Sequence, residues 1–183
     1  MIVLITGASH TGKTLLAQKL LEKFGFPYLS IDHLKMGLIR SGYTKLTPED
    51  DDKLTDYLWP VVCEMIKTAI ENKQNLVVEG CYVPANWRKD FDENYISEIS
   101  FVCLALSNSY IDSNFEKIIS HASDIEARLD DSGCTREFVK AGNESFIKMF
   151  EKEGEEVTVV SGDYEVTIER VIEEISARKL EGK

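Results

Sequence analysis

The chain has 183 residues, 43% of them apolar, which is enough for one domain with a full core. Lysine and arginine number 21 against 32 aspartates and glutamates, a net charge of −11. Such a surface repels phosphate backbones and argues against a nucleic-acid partner. No apolar run is long enough to span a membrane, and Met1 leads straight into an apolar run with no room for a signal peptide, so the expectation is a cytoplasmic protein with no membrane partner.

Ile2-Val3-Leu4-Ile5 is an unbroken apolar run, as expected of a parallel strand buried on both faces. It runs into Gly7-Ala8-Ser9-His10-Thr11-Gly12-Lys13-Thr14, which fits the P-loop pattern of a glycine, four free positions, then Gly-Lys-Thr. Backbone N–H groups of such a loop close around phosphate oxygens, and glycine permits the close approach and the unusual backbone angles. Gly12 opens a helix whose unpaired amides and dipole favour an anion. On this reading Lys13 reaches the β- and γ-phosphates and the Thr14 hydroxyl ligates magnesium. His10 occupies a free position, where the backbone carries the function. Leu15, Leu16, Leu20 and Leu21 recur with a helical period, and Gly25 with Pro27 supplies the stop.

Tyr28-Leu29-Ser30-Ile31 is a short second strand ending at Asp32. Residues 34–42 read as a short helix carrying Lys35 and Arg40, stopped by Gly42. Thr47-Pro48-Glu49-Asp50 reads as an N-cap, a first-turn proline and acids near the positive helix end. In the helix that follows, Leu54, Leu58, Val61, Met65 and Ala69 form one stripe, with a kink or break expected at Pro60. Asp50, Asp51 and Asp52 point in different directions on a helix and read as a solvated first turn rather than a metal cluster. Asn75 to Val78 leads to Glu79-Gly80, a third buried strand ending in a carboxylate. Pro84 to Asn94, with Trp87, Arg88 and Lys89, is expected to be helical, and Ser100 to Leu106 makes a fourth strand. A mostly helical region from about Asn108 to Lys152 is interrupted around Asp130-Asp131-Ser132-Gly133. Val157 to Val160 is a fifth strand, and Tyr164 to Ala177 a closing helix.

The alternation of strands and helices predicts an α/β fold with a parallel sheet wrapped by helices. The cysteines, Cys63, Cys81, Cys103 and Cys134, contain no Cys-x-x-Cys pair, which predicts neither a disulfide framework nor a metal site; Cys63 and Cys103 read as buried apolar residues. In an open parallel sheet ligands bind beyond the carboxyl ends of the strands. Three strands deliver chemistry there: the first the P-loop, the second Asp32, the third Glu79. Phosphoryl transfer needs a held triphosphate with Mg²⁺, a positioned acceptor and often a carboxylate to orient it. Glu79 is placed as a magnesium-side acid and Asp32 as the candidate base. The competing role for Asp32 is the N-cap of a helix from His33 onward.

With the P-loop, Asp32 and the Leu76-Val77-Val78-Glu79-Gly80 run in place, the chain resembles the small P-loop kinases, which include adenylate, cytidylate, shikimate and gluconate kinases, 2-phosphoglycerate kinase and zeta-toxin-like enzymes. The likeness covers nearly the whole length, with a substrate-side insertion over 33–60 and a helical lid after the fourth strand. The resemblance implies a single P-loop NTPase domain with a five-stranded parallel sheet ordered 2-3-1-4-5, ATP and Mg²⁺. It also implies a lid of about Ala122 to Thr135, with Arg128 and Arg136 as its candidate catalytic charges. Ser161-Gly162-Asp163 would form the adenine-side loop.

Three departures bear on the acceptor. Lys35 stands where nucleoside monophosphate kinases usually have an arginine, Pro84 and Arg88 come later than their Pro-Arg pair, and the lid is acidic, with Asp124, Glu126, Asp130 and Asp131. These favour a small-metabolite hydroxyl as acceptor, with Lys35, Arg40, Glu79 and Arg88 beside Asp32 on its side and the cations against an acidic group. A nucleoside monophosphate kinase and an ATP-binding regulator without transfer activity stay open as alternatives, as do monomer and homodimer. A GTPase-type switch is disfavoured, because Asp130-Asp131-Ser132-Gly133 follows a helix rather than a buried strand, and Asn72-Lys73-Gln74-Asn75 lacks the final aspartate.

Overall fold

The computed structural model describes residues 1–121 and 134–181. Five strands, β1 (Ile2–Gly7), β2 (Tyr28–Ser30), β3 (Leu76–Glu79), β4 (Ile99–Leu106) and β5 (Val157–Val160), form one sheet in the order β2-β3-β1-β4-β5. All four pairings are parallel. This is the expected five-stranded order 2-3-1-4-5. All six residues of β1 are buried, because β3 and β4 pair with its edges and helices cover both of its faces.

On one face, α1 (Lys13–Phe24) and the closing α7 (Tyr164–Glu181) pack Leu16, Leu20, Ile168, Ile172 and Ile175 against Val3, Ile5 and Val77. On the other, α3 (Asp51–Glu71) and α6 (Arg136–Lys152) pack against Ile2, Leu4 and Val78 through Leu54, Leu58, Val62, Ile66 and Phe150. α2 (Ile31–Arg40) lies beside α3, α4 (Glu93–Ser97) leads into β4, and α5 (Asn108–Ser120) follows it. Among the described residues no helix is long and apolar enough to cross a membrane.

Several boundaries differ from those predicted. β2 stops at Ser30, and α2 begins at Ile31 rather than near residue 34. Asp32 therefore lies in the first turn of α2, and the N-cap position belongs to Ser30. α3 starts at Asp51, four residues after the predicted cap; Thr47 to Asp50 forms a separate turn in which Asp50 accepts from the Thr47 amide at 3.0 Å. α3 continues unbroken through Pro60. Its buried stripe turns towards Trp59, Val62, Cys63 and Ile66, while Val61 and Met65 stay 44% and 38% exposed. Both stripes satisfy a helical period, so only the sheet's position selects between them. The expected helix over 84–94 is a 3₁₀ turn, Trp87–Asp90, followed by α4.

Cys63 and Cys103 are buried as expected, and burial pushes both thiols up to about 12. Trp87 is fully buried, stacked 5.1 Å from Phe101 and edge-on at 5.9 Å to Phe91.

α7 is tied to the loop between β1 and α1. The Tyr164 hydroxyl donates to the Thr11 carbonyl at 3.3 Å, and a Cβ on Gly12, whose φ is +83°, would run into that same hydroxyl. Gly12 is required twice over, by its left-handed backbone and by the phenol above it.

Two outcomes follow for stability, both read from urea denaturation. Trp87→Ala should cost about 3–5 kcal/mol, the range for emptying a large aromatic site. Gly12→Ala should cost roughly 1–3 kcal/mol from overpacking and backbone strain, and part of that loss should return in Gly12→Ala/Tyr164→Phe. Strict additivity of the two substitutions would show that the phenol does not press on Gly12.

Candidate functional site

The carboxyl ends of β1, β3 and β2 converge because Ile5 and Ser30 are both in register with Glu79. Beyond β1 the loop turns tightly. A Cβ on Gly7 would strike the Leu104 carbonyl oxygen of β4, and His10 takes a positive φ of 66°. The buried Thr11 hydroxyl donates to the Ala8 carbonyl at 3.0 Å and holds the loop closed from inside. The Lys13 ammonium donates to the same carbonyl at 2.8 Å, folding its chain back over the loop. Backbone amides at the start of α1 and this ammonium are the elements of an anion site.

Thr14 and Glu79, 65 residues apart in sequence, meet here. The Thr14 hydroxyl donates to Glu79 Oε2 at 3.4 Å, and Glu79 is only 2% exposed. A hydroxyl and a buried carboxylate at the rim of a phosphate-type loop form a hard oxygen donor pair suited to Mg²⁺.

Next to them the start of α2 carries Asp32 and Lys35 on one face, three residues apart. Lys35 Nζ lies 2.6 Å from Asp32 Oδ1 and donates to the Tyr82 hydroxyl at 2.8 Å. Tyr82 in turn donates to Asp51 Oδ1 at 3.0 Å. Burial, ahead of the nearby charges of Cys81, Asp32 and Asp51, raises the Tyr82 phenol well above its ordinary range, so it stays neutral. Cys81 is raised for the same first reason, and the charges of Lys13, Asp32, Asp51 and Lys35 all act on its thiol. Tyr82 and Asp51 were not singled out from the sequence as site residues. The signal for Tyr82 was its place three residues after Glu79; Asp51 had none, because it is one of three consecutive aspartates.

The remaining expected residues are distributed as follows. Arg136 opens α6, its guanidinium 5.2 Å from the Phe115 ring centre, and its buried Nε has no hydrogen-bond partner among the described residues. A cation at a helix N-terminus works against the dipole, so its position is not explained by helix stability. Arg128, and most of the expected lid over 122–135, lie outside the described residues. Cys134 sits 3.6 Å from His10 Nε2, so the free position of the loop does have a side-chain partner. Ser161 and Gly162 lie exposed between β5 and α7.

Arg88 is not brought to this edge. It makes a two-pronged pair with Glu155, at 2.5 and 3.0 Å, just ahead of β5, and its guanidinium stacks 4.6 Å over Trp87. Glu155 is 7% exposed, so the pair is a structural clasp between the segment after β3 and the entry to β5. Arg40 is exposed in the last turn of α2, about 12 Å along the helix from Asp32 at 1.5 Å per residue. Among the described residues no group of His, Cys, Asp and Glu is arranged to hold a metal by itself. Asp50 is engaged by Lys53 at 2.7 Å and by Thr47, as the solvated-turn reading expects.

No protein-family model and no curated protein matches the sequence. Among solved structures the chain is similar to deoxyadenosine kinase from M. mycoides, with a TM-score of 0.58 and 15% identity over 97% of this chain and 100% of that one. It is also similar to shikimate kinase from Aquifex aeolicus, at 0.52 and 16% over 98% and 99%. A sugar kinase from Janibacter sp. HTCC2649 follows at 0.53 and 16% over 93% and 91%. These likenesses are of fold and of overall length, and they span acceptors as different as a nucleoside and a sugar. The chain has the fold of the small P-loop kinases.

Proposed function

We propose that this chain is an ATP-dependent phosphotransferase that transfers the γ-phosphoryl group to a hydroxyl of a small metabolite. The observation that carries the reading is the meeting of Thr14 with Glu79 at 3.4 Å beside Asp32 and Lys35, which brings a loop for phosphate, an oxygen pair for a cation and a carboxylate for an acceptor to one sheet edge. The kinase fold supports it, and the M. mycoides deoxyadenosine kinase has been solved with dATP bound.

In this reading the backbone of residues 7–14 wraps the phosphates, and the Lys13 ammonium exchanges the Ala8 carbonyl for phosphate oxygen. Thr14 and Glu79 would hold Mg²⁺. Bound there, Mg²⁺ offsets the negative charge of the transferring phosphates. Asp32 orients the acceptor hydroxyl and takes its proton as the oxygen attacks phosphorus, and the β–γ bridging oxygen leaves with ADP. Asp32 is over one-third exposed and reachable by an acceptor, and its bond to Lys35 fixes the carboxylate in place. Arg136 would supply positive charge from the start of α6, the same role being proposed for Arg128, which lies outside the described residues, and Ser161-Gly162 would border the adenine.

Lys13→Ala removes a charge-assisted hydrogen bond to phosphate. ATP affinity measured by calorimetry should fall by about 10- to 150-fold, with larger losses in turnover. An unchanged affinity would remove the phosphate-loop assignment. Asp32→Asn should lower kcat by ~10²–10⁴-fold with ATP affinity largely kept, the expected cost of losing a general base. Tight ATP binding without ADP release on any acceptor would instead identify an ATP-binding regulator.

A further inference from the structure

Among the described residues, the cation shown beside Asp32 is Lys35, and it is already matched. The Lys35 side chain is 11% exposed and delivers its ammonium to Asp32 and to Tyr82, whose ring centre lies 4.9 Å away. Tyr82 is a neutral phenol with a single proton. Having accepted from Lys35, it gives that proton to Asp51. The chain of bonds therefore runs one way, from α2 through the residue after Cys81 to the first residue of α3, and it ends on an exposed carboxylate. Among the described residues no hydrogen bond engages the second carboxylate oxygen of Asp32 or of Asp51.

Within this bonded cluster of described residues the charge balance is two carboxylates against one ammonium. Two cations expected here do not reverse it among the described residues: Arg88 is clasped by Glu155, and Arg40 is a helix length away. An acceptor bearing phosphate or carboxylate would meet net negative charge, and it would have to displace Asp32 from Lys35 to find a cation. A hydroxyl or an ammonium, by contrast, meets acceptor oxygens that are held at fixed places.

We infer that the acceptor is a polyhydroxylated molecule that is uncharged or carries an ammonium group, that Asp51 is its specificity-determining carboxylate, and that Tyr82 positions it. The inference rests on the phosphotransferase reading above, and it reverses the expectation from the sequence that the cations near Asp32 await an acidic acceptor. Ile5 and Ser30 are both in register with Glu79, so an acceptor on Asp32 would lie at the same sheet edge as the loop after β1.

The test is ADP release from Mg·ATP by the full-length chain, with Lys13→Ala as the blank, across acceptors matched in shape and varied in charge. Glucosamine and aminocyclitols, glucose and inositol, gluconate, glucose 6-phosphate and AMP span the three charge classes. Turnover of amine-bearing or neutral members with kcat/KM at least ~10-fold above every anionic member is the expected result, the range of one charge-assisted hydrogen bond. Asp51→Asn should then lower kcat/KM for the amine-bearing acceptor by about 10- to 100-fold and narrow its advantage over the neutral one, with ATP affinity unchanged. Tyr82→Phe, which leaves both carboxylates in place, should raise KM for the acceptor more than it lowers kcat. Preference for an anionic acceptor, or an Asp51→Asn variant with the same charge preference as the parent, would overturn the inference while leaving the phosphotransferase reading intact. No release above the blank with any acceptor would overturn both.

Discussion

Everything at the site depends on the parallel pairing of β1 with β3 on one side and β4 on the other. A fully buried central strand has no freedom to slide, since a one-residue slip would send every side chain to the opposite layer. Its register sets Ile5 opposite Glu79, and the Gly80 amide donates to the Ile5 carbonyl at 3.1 Å. The first residues beyond the sheet are therefore held at a fixed height, which is why the hydroxyl of Thr14 finds Glu79. The same pairing brings Leu104 of β4 so close to Gly7 that only a residue without a side chain fits. The shape of the loop after β1 is in this sense a consequence of sheet register, with glycine supplying the freedom to turn.

A strongly acidic chain would have to separate its charges to handle phosphates as proposed. The proposed phosphate side offers backbone amides and Lys13, while the proposed acceptor side pairs Lys35 with Asp32 at 2.6 Å. Arg88 and Glu155 show the same economy applied to architecture, since a buried carboxylate without that guanidinium would be costly. The Tyr82 phenol, a neutral group, links the Lys35 ammonium, and through it Asp32, to Asp51. Burial is what keeps it neutral, so the polarity of the bonds from Lys35 to Asp51 follows from packing.

The parts legible in the sequence were those dictated by local chemistry. The loop at 7–14, the unbroken apolar runs of the buried strands and the acid closing β3 each carry their cause within a few residues. The strand order was legible only through the resemblance to the small P-loop kinases, because pairing between distant strands leaves no local mark. What failed to read has a common physical reason. Arg88 looked available because its partner, Glu155, is 67 residues away. The buried face of α3 was misassigned because Val61 and Met65 are as apolar as Val62 and Ile66, and the sheet alone decides which pair is covered. Asp51 was set aside with its two neighbours, although the first residue of a helix that docks beside β3 is the one of the three carried to Tyr82.

The distribution of these misses separates two kinds of specificity. In the proposed reading nucleotide phosphates would be met by a contiguous loop, so eight adjacent residues suffice to announce them. The acceptor would in that reading be met by Asp32 and Lys35 from α2, Asp51 from α3 and Tyr82 from the segment after β3, and only the fold brings them together. Such a surface can change its charge by one substitution in any of three elements without disturbing the sheet or the loop. A fold shared among kinases for nucleosides, shikimate and sugars is what that separation would produce: the phosphate half is constrained by backbone geometry, and the acceptor half is free to vary in side chains alone. In this chain the free half is acidic.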